Sequence, residues 1–272
     1  MPGKKRAALL LVANSRTFDA LPAGLCAQVE KLVENGVDLT VWRPRDKRKN
    51  GADPGVTRFV FVGRLIGLKA VDLLLEAFAI ASPQASMRLM IIGDGEARER
   101  LMKQTRELFP QTPVEVDGSS VRFTGWLSQE LCAREVCGAD CLLMPSVRDC
   151  GGAVVLEAMA MAKPVIATAW GGPLDYLDES CGILIEPQSG QALINGFAQA
   201  MVRIANSPTE RASMGRAGRR KVEAHYDWDV KASQILNFYR QTVRLRTTPV
   251  ETIERNRRTN RVERPPKFEP SV

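Results

Sequence analysis

The stretch Asp149-Cys-Gly-Gly-Ala-Val-Val-Leu-Glu157 constrains this chain more than any other. Two carboxylates stand eight positions apart, joined through a Gly-Gly turn, between the apolar runs Cys141-Leu-Leu-Met-Pro145 and Lys163-Pro-Val-Ile-Ala-Thr168. Strand, glycine turn, helix, strand is the order that points a helix N-terminus beyond a sheet edge. The unpaired N–H groups of the first helical turn and the helix dipole favour an anion there. Asp149 precedes the turn, where a side chain can face a ligand. Glu157 falls one to two turns into the helix, within reach of polar hydroxyls such as those of a ribose. A plainer reading makes Asp149 a helix cap and Glu157 a surface residue. The apolar flanks Val154–Leu156 and Ala158–Ala160 weigh against the second, because a carboxylate among apolar neighbours needs a partner.

Around this stretch the chain alternates strand and helix signals. Arg58–Val62 reads as a strand ending at Gly63, and Val71–Ile80 has apolar residues at helical spacing. Arg88–Ile92 reads as a buried strand ending in Gly93-Asp-Gly95, and Glu96–Phe109 as an amphipathic helix. Val121–Phe123 ends near Gly125, and Ser128–Cys137 is a helix with Ser128 as its cap. Cys141–Met144, Val165–Ala167 and Gly182–Ile185 complete the strands; helices over 190–206, 209–224 and 228–243 close the fold. This alternation predicts an α/β fold, a Rossmann-like parallel sheet with helices on both faces. Ligands then sit beyond the carboxyl ends of the strands. The turns at 63, 93–95, 125 and 151–152 all follow strands and should gather on that edge. The first 57 residues hold less: a strand-like segment at 7–13, a helix-like one at about 20–33, then Asn35-Gly36 and a polar linker from Arg45 to Gly55.

Arg64 and Lys69 lie on the loop after the 58–62 strand. A guanidinium fork matches phosphate oxygens, and an ammonium adds a compact charge. Together they can neutralise a diphosphate as it leaves a sugar, stabilising charge that grows in the transition state. Alone, they would read as two solvated basic residues. His225 is the single histidine and reads as structural, so a Ser/His/Asp triad is unsupported. No carboxylate or His/Cys spacing argues for a metal.

The formal net charge of +7 first suggests a nucleic-acid partner. Much of the excess lies at Arg43–Lys49 and beyond residue 250, mixed there with Glu251, Glu254 and Glu263, which reads as a solvated end. Nucleic-acid binding is therefore not expected; a weak attraction to anionic lipid surfaces is left open as the lesser alternative to a solvated end. The six cysteines form no C-x2-C pair and read as reduced core thiols of a cytoplasmic protein. The apolar run after Lys4-Lys5 is short and reads as a buried strand.

Taken together, these motifs resemble the retaining glycosyltransferases of family 4, which have the GT-B fold. Val62-Gly-Arg-Leu-Ile-Gly-Leu-Lys-Ala-Val-Asp-Leu-Leu-Leu-Glu-Ala-Phe78 is similar to the family's "GRL…KG…LL.AF" segment. Leu89–Gly95 resembles its "L.I.G.G" strand, Val121–Gly125 its "V.F.G" strand, and Asp149–Glu157 its E-x7-E motif. Pro164–Gly172 resembles the strand that follows, and Glu34–Asp38 with Arg43-Pro44 the interdomain "NGVD…F.P" stretch. The resemblance implies that Arg64 and Lys69 hold the donor diphosphate, Glu157 the ribose, and Asp149 faces the sugar as the third catalytic residue. Gly63, Gly93, Gly125, Gly151, Gly152, Ala153 and Val154 would complete the nucleotide-sugar site through their backbone. Asp149 is one carbon shorter than the family's Glu, and Gly151 stands where the family has an aromatic.

The implied reaction transfers a hexosyl group from a UDP-sugar or GDP-sugar to a glycan or lipid-linked acceptor, with no cofactor and no metal. The implied organisation is a remnant of the acceptor domain and linker over 1–57 and a nucleotide-sugar-binding domain over 58–227. A crossover helix follows over 228–244, then a basic, disordered end over 245–272. The helix would leave Ile235, Leu236, Phe238 and Tyr239 exposed. A partner chain supplying the acceptor domain is then expected. Three other readings stay open: a module that holds a nucleotide sugar without transferring it, a nucleotide-sugar epimerase, and a nucleic-acid binder.

Overall fold

The computed structural model describes residues 7–44, 55–110 and 120–247. The expected linker lies almost wholly outside these residues, as does the basic end beyond 247. The leading part holds β1 (Leu10–Val12), α1 (Ser15–Asp19) and β2 (Val29–Lys31). The main sheet is built from β3 (Thr57–Val62), β4 (Met87–Ile92), β5 (Val121–Gly125), β6 (Cys141–Met144), β7 (Val165–Thr168) and β8 (Gly182–Ile185). Its helices are α2 (Val71–Ala81), α3 (Arg98–Leu108), α4 (Gln129–Gly138), α5 (Ala153–Ala160), α6 (Gly172–Tyr176), α7 (Gly190–Asn206), α8 (Pro208–His225) and α9 (Trp228–Thr247).

Every pairing in the sheet is parallel, and the spatial order is β5-β4-β3-β6-β7-β8. The chain therefore builds outward from β3 in one direction, returns, and continues from β6 in the other. Neighbouring loops diverge at such a switch point and leave a crevice at the carboxyl ends of the two strands. Phe59 and Phe61 with Leu89, Ile91, Val121 and Phe123 pack one face against α2, α3 and α7. Val60, Ile92, Leu142, Met144, Val165 and Ala167 pack the other against α4, α5 and α8. Both faces are covered, which is why β6 and β7 are apolar at nearly every position and buried at all of them.

The helix expected over about 20–33 does not form. Pro22 biases Leu21 away from helical backbone, and Gly24 adopts a left-handed φ of 73°. Val29–Lys31 pairs instead with β1 as a parallel two-stranded ribbon. The strand expected at 7–13 shortens to β1. Ser128 caps α4 as expected, accepting from the Leu131 N–H. On α9, Leu236 and Tyr239 are exposed, whereas Ile235 and Phe238 are half-buried.

Candidate functional site

Two loops meet at the switch point. The first leaves β3 through Gly63. Leu65 is fully buried and acts as its plug: its N–H donates to the Asp94 carbonyl at 2.9 Å, and its carbonyl accepts from the Ala97 N–H at 2.9 Å. With Leu65 held inward, its neighbour Arg64 is exposed, and the guanidinium forms no hydrogen bond or ion pair among the described residues. A short 3-10 turn, Gly67–Lys69, then turns the chain back. Ala70 follows with a left-handed φ of 49°, an uncommon conformation for a residue bearing Cβ. Backbone strain of this kind persists only where the surroundings impose it.

The second loop leaves β6, and Val147 N–H donates to Leu68 O at 3.0 Å, tying it to the first. Asp149 sits at its centre. One carboxylate oxygen pairs with the Lys69 ammonium, and the other accepts from the Gly152 N–H at 2.9 Å. The ion pair bridges the switch point, with side-chain exposures of 21% for Lys69 and 15% for Asp149. Both readings of Asp149 thus hold at once: it closes the turn and it faces the crevice. Gly152 takes a left-handed φ of 63° as α5 begins, and the helical geometry directs the N–H groups of Ala153 and Val154 out of the N-terminus. The loop interlocks with the next turn. A Cβ at Gly171 would overlap the Asp149 carbonyl, and one at Gly172 the Gly151 carbonyl. Only glycine fits where two backbones approach this closely.

Glu157 lies one turn further along α5, half-buried between Leu156 and Ala158, and no described residue bonds its carboxylate. Loss of solvent pushes its pKa up to about 7. A carboxyl held so far above its usual range without a counter-charge gains when a donor arrives. Paired ribose hydroxyls are such donors.

The structure brings Lys69, Asp149, Gly151, Gly152, Ala153 and Val154 together at the switch point. Gly63, Gly93 and Gly125 brace the same edge: Gly63 N–H donates to Ile92 O at 3.0 Å, and Gly93 N–H to Gly125 O at 2.9 Å. A Cβ at Gly93, whose φ is 138°, would overlap the Gly63 carbonyl. Two features escaped the sequence reading. Trp126, 75% exposed, follows Gly125 at the carboxyl end of β5; an aromatic directly after a strand-ending glycine was its signal. Cys150 is exposed beside Asp149, so not every cysteine is a core thiol. Among the described residues no three His, Cys, Asp or Glu side chains gather as a metal site, and no described helix is long and apolar enough to cross a membrane.

A six-stranded parallel sheet with helices on both faces and glycine loops gathered at its switch point is a Rossmann-like domain. The sequence profile of the family described as "Glycosyl transferases group 1" matches residues 56–207, and the chain belongs to that family. It is 31% identical over 228 residues to the D-inositol 3-phosphate glycosyltransferase of Segniliparus rotundus, an alignment covering 78% of this chain and 47% of that protein. It is 26% identical over 234 residues to a GDP-mannose-dependent monoacylated alpha-(1-6)-phosphatidylinositol monomannoside mannosyltransferase of Corynebacterium glutamicum, covering 82% of this chain and 56% of the relative. Among solved structures, sucrose-phosphate synthase from Thermosynechococcus elongatus superposes with a TM-score of 0.72 at 25% identity, over 89% of this chain and 60% of that one. The chain spans about half the length of the curated relatives it matches.

Proposed function

We propose that this chain is the donor-binding half of a retaining, family 4 glycosyltransferase. It would take a hexosyl group from a UDP-sugar or GDP-sugar and deliver it to a glycan or lipid-linked acceptor. The observation that carries this reading is the Lys69–Asp149 pair across the switch point, beside the N-terminus of α5 and the unpartnered Glu157. The diphosphate lies between the free Arg64 guanidinium, the Lys69 ammonium and the outward N–H groups of Ala153 and Val154. The Lys69 ammonium and the helix N–H groups are held in place before the ligand arrives, so they neutralise the departing diphosphate with little reorganisation. Glu157 accepts from the ribose hydroxyls. Trp126 offers the base a flat apolar face two strands outward from β3. The matched mannosyltransferase, named as GDP-mannose-dependent, supports a nucleotide-sugar donor. Acceptor contacts come from outside the described residues, and a module that only binds the donor is the remaining reading.

The test is a calorimetric titration of the purified chain with UDP, GDP and ADP, repeated on Arg64→Ala. Saturable binding of one nucleotide, weakened by about 1.5–3 kcal/mol in the variant, is expected for loss of a charge-assisted phosphate contact. Equal affinity for the nucleoside and its diphosphate would contradict the role of Arg64.

A further inference from the structure

We propose that Glu34, packed against Gly151, contacts the transferred sugar, accepting a hydrogen bond from one of its hydroxyls. This inference rests on the donor-site reading above and adds a residue from outside the sheet domain.

Asp149 is short, and each of its oxygens already accepts one bond, from the Lys69 ammonium and from the Gly152 N–H, which leaves only its remaining lone pairs for a sugar. The donor loop nevertheless has a second carboxylate against it. A Cβ built on Gly151 would stand 3.4 Å from Glu34 Oε1 and only 2.6 Å from Asn35 Nδ2. The space that a side chain at 151 would occupy is thus filled by residues 34 and 35. Asn35 is pinned there, its amide donating to the Tyr176 hydroxyl at 3.0 Å. Gly36 is held behind it by the Trp228 ring, where a Cβ would come within 2.7 Å of the indole. Glu34 is therefore set against the middle of the donor loop by its pinned neighbours.

Glu34 itself is exposed and has no hydrogen bond or ion pair among the described residues. One cation lies in its field. Lys231, on the first turn of α9, is 3% exposed and likewise unbonded through its side chain. Burial lowers the Lys231 pKa, and Glu34 opposes that shift. Neither oxygen of Glu34 is capped by a described residue, so both stay open as acceptors. A solvent-facing carboxylate packed beside this loop suits a polyol, whose hydroxyls can both donate and accept.

The experiment is calorimetry on the full chain with four probes: UDP, UDP-glucose, GDP and GDP-mannose. Wild type is compared with Glu34→Gln, Glu34→Asp and Lys231→Gln, with melting temperatures recorded alongside. The expected result is selective. Glu34→Gln leaves the nucleoside diphosphate affinity unchanged and lowers the ratio of nucleotide-sugar to nucleotide affinity roughly tenfold, the effect of one hydrogen bond to a charged group. Glu34→Asp, with its shorter reach, falls in the same direction. If both affinities move together, or neither moves, Glu34 does not touch the sugar, and the donor-site reading stands without it. A fall in melting temperature with an unchanged ratio would make Glu34 a structural counter-charge for Lys231 and overturn the proposal. If wild type binds none of the four probes, the donor-site reading itself fails and this inference with it.

Discussion

In the leading segment, β1 and β2 pair as a two-stranded ribbon with a single buried position, Val12, whereas β6 and β7 are buried at every residue. Both are short parallel pairs, and the sequence of each is rich in branched aliphatics. The difference lies in what covers them. β6 and β7 sit mid-sheet between two helical layers; β1 and β2 have no third strand among the described residues. A parallel pair gains little from hydrogen bonds alone, because those bonds replace bonds to water; its stability comes from buried apolar area. The leading segment is held instead by polar attachments to the donor side. Ser15 Oγ donates to Asp175 at 2.5 Å, Asn14 Nδ2 reaches the Cys150 carbonyl at 3.5 Å, and Arg16 lies 4.7 Å over the Trp170 ring. One region is a core that carries a site, and the other is a latch fastened beside it.

The widest expected gap between the two regions is at glycine. Gly93→Ala forces a Cβ into the Gly63 carbonyl at a φ of 138°, and should lower global stability by about 3 kcal/mol or more. Gly24 also has a positive φ but faces open space, so Gly24→Ala should cost about 1 kcal/mol and mainly loosen its own segment. Urea midpoints at constant slope measure both. Equal losses would break the distinction between core and latch.

Lys69→Ala acts on the site rather than the frame. It strips Asp149 of its counter-charge and, on the proposed reading, removes a phosphate ligand. Nucleoside diphosphate affinity should drop by about 1.5–3 kcal/mol, while the urea midpoint moves far less than in Gly93→Ala. A variant that binds normally but unfolds early would make the pair structural.

Glu157 links the site to pH. Its ordinary pKa of 4.5 rises to about 7 in the fold, so between those values the folded chain holds a proton that the unfolded chain has lost. Stability falls across that window and levels off above it, by up to about 3 kcal/mol. Glu157→Gln should therefore match wild type near pH 4.5 and be the more stable protein at about pH 8. It should also bind nucleotide more weakly, and wild-type affinity should rise as the carboxylate forms between about pH 6 and 8. Thermal melts and titrations across that range check both signs. A variant that gains no stability at high pH would mean the carboxyl is solvated.

The sheet was legible in the sequence because its strands are apolar runs closed by glycine, a pattern set by burial on both faces. The Gly93-Asp-Gly95 turn was legible because close backbone contact, with the Gly63 and Leu65 carbonyls, admits no other residue, and the Gly-Gly turn at 151–152 because Gly152 opens the helix with a left-handed φ. The segment at 20–33 was not legible. Its apolar spacing suits a helix, and only Pro22 and Gly24 hinted otherwise, while the strand at 29–31 depends on a partner nineteen positions away, Leu10 against Val29. The packing of Glu34 and Asn35 onto Gly151 lay further out of reach. It joins positions more than a hundred residues apart, and nothing in local periodicity reports such a contact. Cys150 and Trp126 were missed because exposure, unlike burial, leaves no repeat.

The smallest expected effect tests the latch most directly. Asn14 is buried, and its side chain does two things: Oδ1 accepts from the Thr17 N–H at 2.8 Å as the cap of α1, and Nδ2 reaches toward Cys150 O. Asn14→Ala should cost about 1 kcal/mol, the usual value of a lost N-cap. Because the sheet does not depend on α1, that loss should appear locally. Amide exchange should quicken at Thr17 and its neighbours, and the midpoint of global unfolding should hardly move. Asn14→Asp separates the two roles: it keeps the cap acceptor and removes the donor to Cys150. If exchange at Gly151 and Gly152 quickens in Asn14→Asp while Thr17 stays protected, the latch steadies the donor loop itself. If both loops stay protected, the bond to Cys150 contributes nothing, and the leading segment is fastened there by Ser15 on Asp175 and Arg16 over Trp170.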